Sequence, residues 1–302
     1  MKFLLLLIVV ALVATRAALP PELYWKSMLP ATSMPKFITE LLHSAVIVGK
    51  PGDNTSIHVR GNSTLHRATF IYAANSDKEL HNIPNTTLFF LEEDMKPGHK
   101  MNFHFMQTSN QSSLLPREVV KSVPFSSSKM AQILKEFAVK PGSTEAKFLK
   151  ETIELCEKPG VKGEEKYCAT SLESMVDFIT LKLGKNVEAL STEVMMKETK
   201  KQEYTITQGA KKVGEAKVVV CHKVNYIYAL FYCHKTETTI AYMVPLVGAD
   251  GTKVKAVSLC HMDTSEWNPK HLAFQVLKVK PGSVPVCHFL SQDNVVWVLS
   301  HE

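Results

Sequence analysis

The chain lacks the long apolar runs and common catalytic motifs that assign many sequences to a class at once. Beyond residue 13, no stretch approaches the roughly 18–20 apolar residues that a membrane-spanning helix needs. No glycine-rich phosphate loop, Gly-x-Ser-x-Gly elbow or His-Glu-x-x-His helix is present. The formal net charge is only +6, and this mild excess argues against nucleic acid as a partner.

The first 18 residues have the composition of a secretory signal peptide. Lys2 gives a positive start, residues 3–13 are apolar, and small residues within 14–18 offer a cleavage site. The apolar run is too short to span a bilayer. We therefore predict a secreted protein without a membrane span, whose cysteines meet an oxidising environment.

The segment that follows, residues 19–86, contains many prolines and polar residues and shows little helical periodicity. We predict a variable, partly disordered extension here and a globular domain over residues 87–302. Four candidate glycosylation sequons all precede residue 115, so sugar would coat the amino-terminal part alone. They begin at Asn54, Asn62, Asn85 and Asn110.

The hydrophobic pattern changes from helical to strand-like along the globular part. Apolar residues at helical spacing, each run preceded by a serine that can cap it, predict three helices near residues 129–137, 143–156 and 171–184. From residue 204 onwards, short apolar runs separated by turn residues predict strands, among them 273–279. We expect an α+β fold in which a three-helix segment is followed by an antiparallel, β-rich region.

All six cysteines lie beyond the signal peptide. An even number in an oxidising compartment predicts disulfide bonds rather than free thiols, although six cysteines allow many pairings. Cys156 and Cys168 form the clearest local pair, because the short loop between them contains Pro159 and two glycines. The connectivity of the other four stays open; they are Cys221, Cys233, Cys260 and Cys287.

Each of these four cysteines is followed by a histidine, and the dipeptides are separated by 10, 25 and 25 residues. Each dipeptide ends or interrupts an apolar run typical of a strand, in which successive side chains point to opposite faces. We therefore expect the cysteines to form disulfides on one face and the histidines to collect on the other. This weighs against a zinc-finger site, whose cysteines are spaced Cys-x2–4-Cys. The histidines are His222, His234, His261 and His288.

The residue before each cysteine shares a face with the histidine. Burial among apolar or aromatic neighbours would disfavour the charged form of each imidazole and leave a nitrogen lone pair free. Several neutral imidazoles suit copper, zinc or nickel. Asp263 would share the face of His261 if that strand continued, and it could then orient the imidazole. The neighbours are apolar or aromatic: Val220, Tyr232, Leu259 and Val286.

Several longer motifs resemble one known family. The spacing CH-x10-CH-x25-CH-x25-CH is similar to that of the BURP domain, a module of secreted plant proteins. Phe89-Phe90, at the start of the globular part, resembles the start of that domain. The other similar segments are 115–118 (LPRE), 123–128 (VPFSSS), 167–175 (YCATSLESM), 260–274 (CHMDTSEWNPKHLAF) and 284–289 (VPVCHF).

The resemblance implies two kinds of function. Some members are copper-dependent, autocatalytic peptide cyclases, and by that resemblance His222, His234, His261 and His288 would bind copper and a peptide would be the substrate. Other members are seed, stress-responsive or cell-wall proteins without demonstrated catalysis, one of them associated with a polygalacturonase, which implies cell-wall polysaccharide as a partner. The implied location is the apoplast, the cell wall or the seed vacuole. Whether this chain is an enzyme stays open.

The amino-terminal part departs from the self-modifying members of the family. Such members carry a core peptide, often repeated, that begins with Gln and contains the reacting aromatic residue. Between the signal peptide and Phe89 there is no Gln and no repeat. Tyr24 and Trp25 are the candidate cross-link residues in that part, and a separate peptide is the other option. Our leading interpretation is a secreted plant protein with a four-histidine copper site and a role in development or stress response.

Overall fold

The computed structural model describes most of the globular part and a short amino-terminal segment. The predicted signal peptide, residues 1–18, and the four candidate glycosylation residues (Asn54, Asn62, Asn85 and Asn110) lie outside the described residues. In the part that is described, no helix is long and apolar enough to cross a membrane. The described residues are 19–43, 47–48, 58–59, 88–105, 112–160, 162–195 and 200–300.

The architecture is α+β with antiparallel sheets, as the sequence predicts, but the helices are not confined to one three-helix segment. The three expected helices are present, and the Ser143 and Ser171 side chains cap two of them by accepting hydrogen bonds from backbone N–H groups. Four further helices within the described residues correct the expected helix count. In chain order the helices are α1 Pro21–Met28, α2 Lys36–His43, α3 Arg117–Val120, α4 Met130–Glu136, α5 Thr144–Glu157, α6 Leu172–Leu183 and α7 Leu272–Leu277.

Strands form two large antiparallel sheets and one small one. They are β1 Ile47–Val48, β2 His58–Val59, β3 Lys100–Phe103, β4 Glu164–Ala169, β5 Val187–Leu190, β6 Glu193–Val194, β7 Gln202–Ile206, β8 Lys211–Glu215, β9 Val218–Val224, β10 Leu230–Thr236, β11 Thr239–Gly248, β12 Lys253–His261, β13 Val286–Phe289 and β14 Asn294–Leu299. The five-stranded sheet has the order β4-β10-β9-β14-β5. The larger sheet has the order β13-β12-β11-β7-β3, with β6 beside β12 and β8 beside β11. β1 pairs with β2. Strand β4 lies between α5 and α6, so the three expected helices do not form one uninterrupted segment.

The two large sheets pack face to face. Alternate residues of β9 and β14 point inwards and meet alternate residues of β11 and β12. The two sheets therefore share one inner layer, and their outer faces must be covered by other elements. The buried members of the inner layer are Val218, Val220, Ala241, Val257, Leu259, Leu290, Val296 and Val298.

Each outer face has its own apolar cover. Helices α1, α2 and α6 pack on the five-stranded sheet around Phe231 and Trp297. An aromatic cluster that includes Phe90, Phe103 and Tyr204 covers the larger sheet. Helices α4 and α5 pack against the connection between β9 and β10. These covers bury much of the outer faces of both sheets.

Residues 19–43 pack into this core, although the sequence analysis placed them in a partly disordered extension. Trp25 is 2% exposed, and its ring centroid lies 5.2 Å from that of Trp297 in β14. The hydroxyl of Tyr24 donates a hydrogen bond to Asp177 of α6. This segment has no long helical periodicity, so the sequence pattern did not predict that it is packed. Two neighbouring aromatic residues, Tyr24 and Trp25, anchor it to the core instead. Most of the remaining extension lies outside the described residues.

The expectation of a strand over residues 273–279 is corrected, because α7 occupies most of that segment. The helix begins after His271, whose Nδ1 accepts a hydrogen bond from the backbone N–H of Ala273 at 3.2 Å. It ends at Lys278, which adopts a left-handed conformation. The periodicity of a short apolar run fits a buried strand and a buried helix equally well. In this segment, the cap at His271 marks the start of a helix.

Candidate metal centre

All six cysteines are paired in three disulfide bonds. Two bonds join residues that face each other directly across antiparallel strands, β9 with β10 and β12 with β13. The Cα–Cα distances of these two are 3.9 and 4.0 Å. The third bond connects the end of α5 to β4 and is the local pair expected from the sequence. In that order the pairs are Cys221–Cys233, Cys260–Cys287 and Cys156–Cys168.

The register of the same strands places the histidines diagonally across from each other on the inner faces. In β9 and β10, His222 faces Tyr232 and His234 faces Val220. Side chains that are diagonal neighbours on one face can meet when they are long or aromatic. Strands β12 and β13 repeat the arrangement, with His261 facing Val286 and His288 facing Leu259.

Within each pair, the imidazole rings stack and turn their Nε2 atoms towards each other. The Nε2 atoms of His222 and His234, the first histidine pair, are 3.2 Å apart. Those of His261 and His288, the second histidine pair, are 3.4 Å apart. Two nitrogens that each lie ~2.0–2.1 Å from one tetrahedral metal ion are roughly 3.3 Å from each other. Each pair therefore has the separation of two ligands of one ion.

In the first histidine pair, the Nδ1 atom of each ring lies next to an oxygen atom of a residue from another strand. Nδ1 of His222 lies 2.9 Å from Oδ1 of Asn294. The amide nitrogen of Asn294 donates to Ser291, so it is the amide oxygen that faces the imidazole. Nδ1 of His234 lies 3.1 Å from a carboxylate oxygen of Glu164. Because both partners are acceptors, a proton on Nδ1 of each ring would satisfy these contacts and leave the lone pair of Nε2 directed at the other ring.

The second histidine pair has longer contacts and an aromatic boundary. Nδ1 of His288 lies 3.4 Å from the carbonyl oxygen of Phe289, and Nδ1 of His261 lies 3.3 Å from the hydroxyl of Thr239. The ring centroid of Trp267 is 5.0 Å from that of His261. The carbonyl can only accept, so His288 also presents an Nε2 lone pair towards its partner.

All four imidazoles are almost inaccessible to solvent, with exposures between 2% and 7%. Burial lowers the pKa of His222 and of His261 well below the usual 6.5 and lowers the pKa of His288 to about 4. Positive charge on His288 would further lower the pKa of His222, and charge on His234 would further lower that of His261. The two pairs thus interact electrostatically across the space between the sheets. At neutral pH, these three imidazoles are uncharged and able to bind a metal.

The two pairs lie on facing sheets without forming a single ligand cluster. Val220 and Leu259, two residues before His222 and His261, belong to the same inner layer. Across the described residues, however, no three His, Cys, Asp or Glu side chains are arranged so that they could hold one ion together. The donor chemistry fits a metal within each pair. A site with four ligands requires the two pairs to approach each other.

The structure places Asp263 away from the role that the sequence suggested. Strand β12 ends at His261, so the alternation of faces does not extend to Asp263. Its exposed carboxylate accepts a hydrogen bond from the backbone N–H of Ser265 at 2.9 Å, and hydrogen bonds with the side chain and the backbone of Ser265 lower the pKa of Asp263. The carboxylate beside a site histidine is that of Glu164, which the sequence analysis missed. Only the pairing of β4 with β10 would have revealed it.

Tyr24 and Trp25 lie on the outer side of the five-stranded sheet. They are buried in the cluster that contains Cys221 and Cys233. Since His222 is adjacent to Cys221 in a strand, its side chain points to the opposite, inner face. The structure therefore does not bring the two candidate cross-link residues to the histidines.

The family model and the known proteins that match this chain all indicate the same family. The BURP domain model matches residues 88–299. BURP domain protein RD22 of Arabidopsis thaliana is 53% identical over 234 residues, which cover 76% of this chain and 60% of that protein. BURP domain-containing protein 3 of Oryza sativa subsp. japonica is 52% identical over 238 residues, which cover 77% of this chain and 56% of that protein. This chain thus spans little more than half the length of these two relatives.

A third relative aligns over nearly the whole chain. BURP domain-containing protein 5 of Oryza sativa subsp. japonica is 45% identical over 294 residues, which cover 94% of this chain and 88% of that protein. The matched family domain, the identities to these plant proteins and the Cys-His spacing all agree. The chain belongs to the BURP domain family.

Proposed function

We propose that this chain is a secreted plant protein whose histidines His222, His234, His261 and His288 bind copper. The observation that supports the proposal is the pairing of Nε2 atoms at 3.2 and 3.4 Å while other groups contact the Nδ1 atoms. In the first histidine pair, where acceptors lie beside both Nδ1 atoms, a proton on each Nδ1 would leave two Nε2 lone pairs that repel each other, and a bound cation would remove that repulsion. Buried histidines that serve only to fill a core have no need of this arrangement.

Copper is the metal that we favour for this donor set. The cysteines next to the histidines form disulfides, so thiolate ligands of a zinc-finger site are not available. A set of imidazoles suits copper, zinc and nickel, and copper binds most strongly among the divalent first-row ions. When bound, copper supplies one-electron redox chemistry. The role of the chain's own residues is to hold the four imidazoles in two pairs and away from water.

The test is copper binding by the purified chain and by single histidine variants. We expect the wild type to bind copper stoichiometrically and His222→Ala, His234→Ala, His261→Ala and His288→Ala each to weaken binding at least about tenfold, by chelator competition. His99→Ala is the matched control, since His99 is partly exposed and contacts Asp94 instead. Wild-type affinity in all four site variants, or no copper in the wild type, would overturn the proposal.

A second candidate function is oxidative cross-linking of a separate peptide. The observation that favours it is Trp267, a partly exposed indole that contacts His261 and offers an apolar surface for a substrate next to the second histidine pair. Tyr24 and Trp25 remain the candidates within the chain, but their burial on the outer side of the sheet disfavours self-modification. Cross-linking would remove two hydrogen atoms from the peptide and needs oxygen as the oxidant.

Intact-mass measurement separates this enzyme from a non-catalytic protein of the cell wall. The deglycosylated protein would be incubated with candidate aromatic peptides under air, with and without copper. A copper-dependent loss of two hydrogen atoms beyond disulfide formation supports the cyclase, whether the loss is found on the peptide or on the chain. Bound copper without mass loss, together with retention on wall polysaccharide, supports the structural role.

A further inference from the structure

Glu164 places a carboxylate beside the first histidine pair and out of reach of solvent. The side chain of Glu164 is 3% exposed and that of His234 is 2% exposed. One oxygen of the carboxylate lies 3.1 Å from Nδ1 of His234. The same oxygen accepts a hydrogen bond from the hydroxyl of Tyr232 at 3.3 Å. The carboxylate thus contacts two neighbouring side chains of the inner face of β10.

The position of Glu164 follows from the edge strand β4. In the pairing of β4 with β10, Lys166 faces His234, and Glu164 lies two residues before Lys166 on the same face of the strand. The ammonium of Lys166 lies over the Tyr232 ring, 5.4 Å from its centroid, and donates to the carbonyl of Leu155. A buried carboxylate is costly unless other groups compensate its charge. Lys166 and Tyr232 supply that compensation.

The partners of the other histidines are neutral. Nδ1 of His222 faces the amide oxygen of Asn294, that of His261 faces the hydroxyl of Thr239, and that of His288 faces a carbonyl. A carboxylate that accepts from a metal-bound imidazole orients the ring and makes the other nitrogen a better donor. Among the contacts that the structure describes, the carboxylate beside His234 is therefore the Nδ1 partner best able to orient a metal-binding imidazole.

We infer that Glu164 is a positioning residue for the metal, whose buried carboxylate orients the His234 ring through its contact with Nδ1 and places an acidic group beside the site. The inference rests on the proposed copper site. Negative charge stabilises Cu(II) more than Cu(I), because the oxidised ion carries the larger positive charge. If copper were bound, an ionised Glu164 beside the first histidine pair would favour the oxidised ion.

The test compares Glu164→Gln with Glu165→Gln. The first variant keeps the shape of the side chain and removes its charge, and the second removes the exposed neighbouring carboxylate that pairs with Lys182 and Lys235. We expect Glu164→Gln to weaken copper affinity about 10–100-fold, as for other outer partners of metal ligands. We also expect it to raise the reduction potential of the bound copper. Glu165→Gln should match the wild type in both properties.

The copper potential distinguishes positioning from a merely structural role. A structural role would lower the unfolding midpoint of the metal-free protein and leave the potential of bound copper unchanged. If the wild type binds no copper, the proposed function and the inference both fail. If the wild type binds copper and Glu164→Gln has wild-type affinity and potential, only the inference fails. Should Glu164→Gln not fold, Glu164→Asp decides in the same way, because it keeps the charge but draws it back from His234.

Discussion

The Nε2 atom of His222 lies 3.2 Å from that of His234, although the residues are 12 positions apart in the chain. Their neighbours Cys221 and Cys233 face each other in the same two strands and are joined by a disulfide on the opposite face. A slip of one residue between these strands would move one histidine away from the other. The disulfide thus fixes the register on which the histidine pair depends.

The first prediction concerns the disulfides. Replacing Cys221 and Cys233 by Ser should lower the free energy of unfolding by roughly 3 kcal/mol and weaken copper binding. The matched control replaces Cys156 and Cys168, whose disulfide spans the same sequence separation of 12. This control should lose a similar amount of stability and keep its copper affinity. Urea unfolding and chelator competition measure the two effects.

The disulfide prediction has a clear contrary outcome. If both double variants lose copper affinity to the same extent, the effect comes from general destabilisation and not from the register of β9 and β10. If the first double variant loses stability but binds copper as the wild type does, the histidine pair does not need the disulfide.

The second prediction concerns the stability of the metal-free protein in acid. The pKa of His288 falls from 6.5 when exposed to about 4 in the folded protein, and the pKa values of His222 and His261 are also lowered by burial. Between those pH values the unfolded chain binds more protons than the folded one, so stability decreases as pH falls from 6.5 to 4. For His288 alone, the loss is roughly 3 kcal/mol.

Urea unfolding of the metal-free protein at several pH values between 7 and 4 measures this loss. His288→Gln, which has no titrating group at that position, should show a shallower dependence on pH. Copper-loaded protein should keep its stability to lower pH, since the metal competes with protons for the same nitrogens. An unchanged slope in His288→Gln would contradict the assignment of the loss to this imidazole.

The third prediction concerns the amino-terminal segment. Trp25→Ala should lower the free energy of unfolding by about 3–5 kcal/mol, because the indole is buried against Trp297 of β14. Leu23→Ala is the control on the same helix, since Leu23 is 49% exposed and should change stability little. Urea unfolding of the two variants provides the measurement. Equal stability of both would show that residues 19–43 are not part of the cooperative core.

Sequence periodicity predicted the faces on which the cysteines and histidines lie, but not which of these residues pair or which groups support them. Alternation along single strands predicted that cysteines and histidines would occupy opposite faces, because the period of two is local. Glu164 and Asn294 reach the imidazoles only through the pairing of β4 with β10 and of β14 with β9. Such pairings join residues far apart in the chain. The end of β12 at His261 could not be read from the sequence either, so the alternation of faces on which the interpretation of Asp263 rested does not extend to that residue.

The last prediction concerns Asn294, which holds His222 as Glu164 holds His234. Asn294 faces His222 directly in the register of β14 with β9, and its amide oxygen lies 2.9 Å from Nδ1. Asn294→Ala removes the acceptor, so the proton of the ring can move to Nε2 and block the lone pair there. We expect copper affinity to fall about 10–100-fold. Asn294→Asp keeps an acceptor and adds charge, so it should hold the affinity while destabilising the metal-free protein, in which that charge is buried. Equal loss of affinity in both variants, measured by chelator competition, would show that Asn294 acts through packing and not through the proton that it fixes on His222.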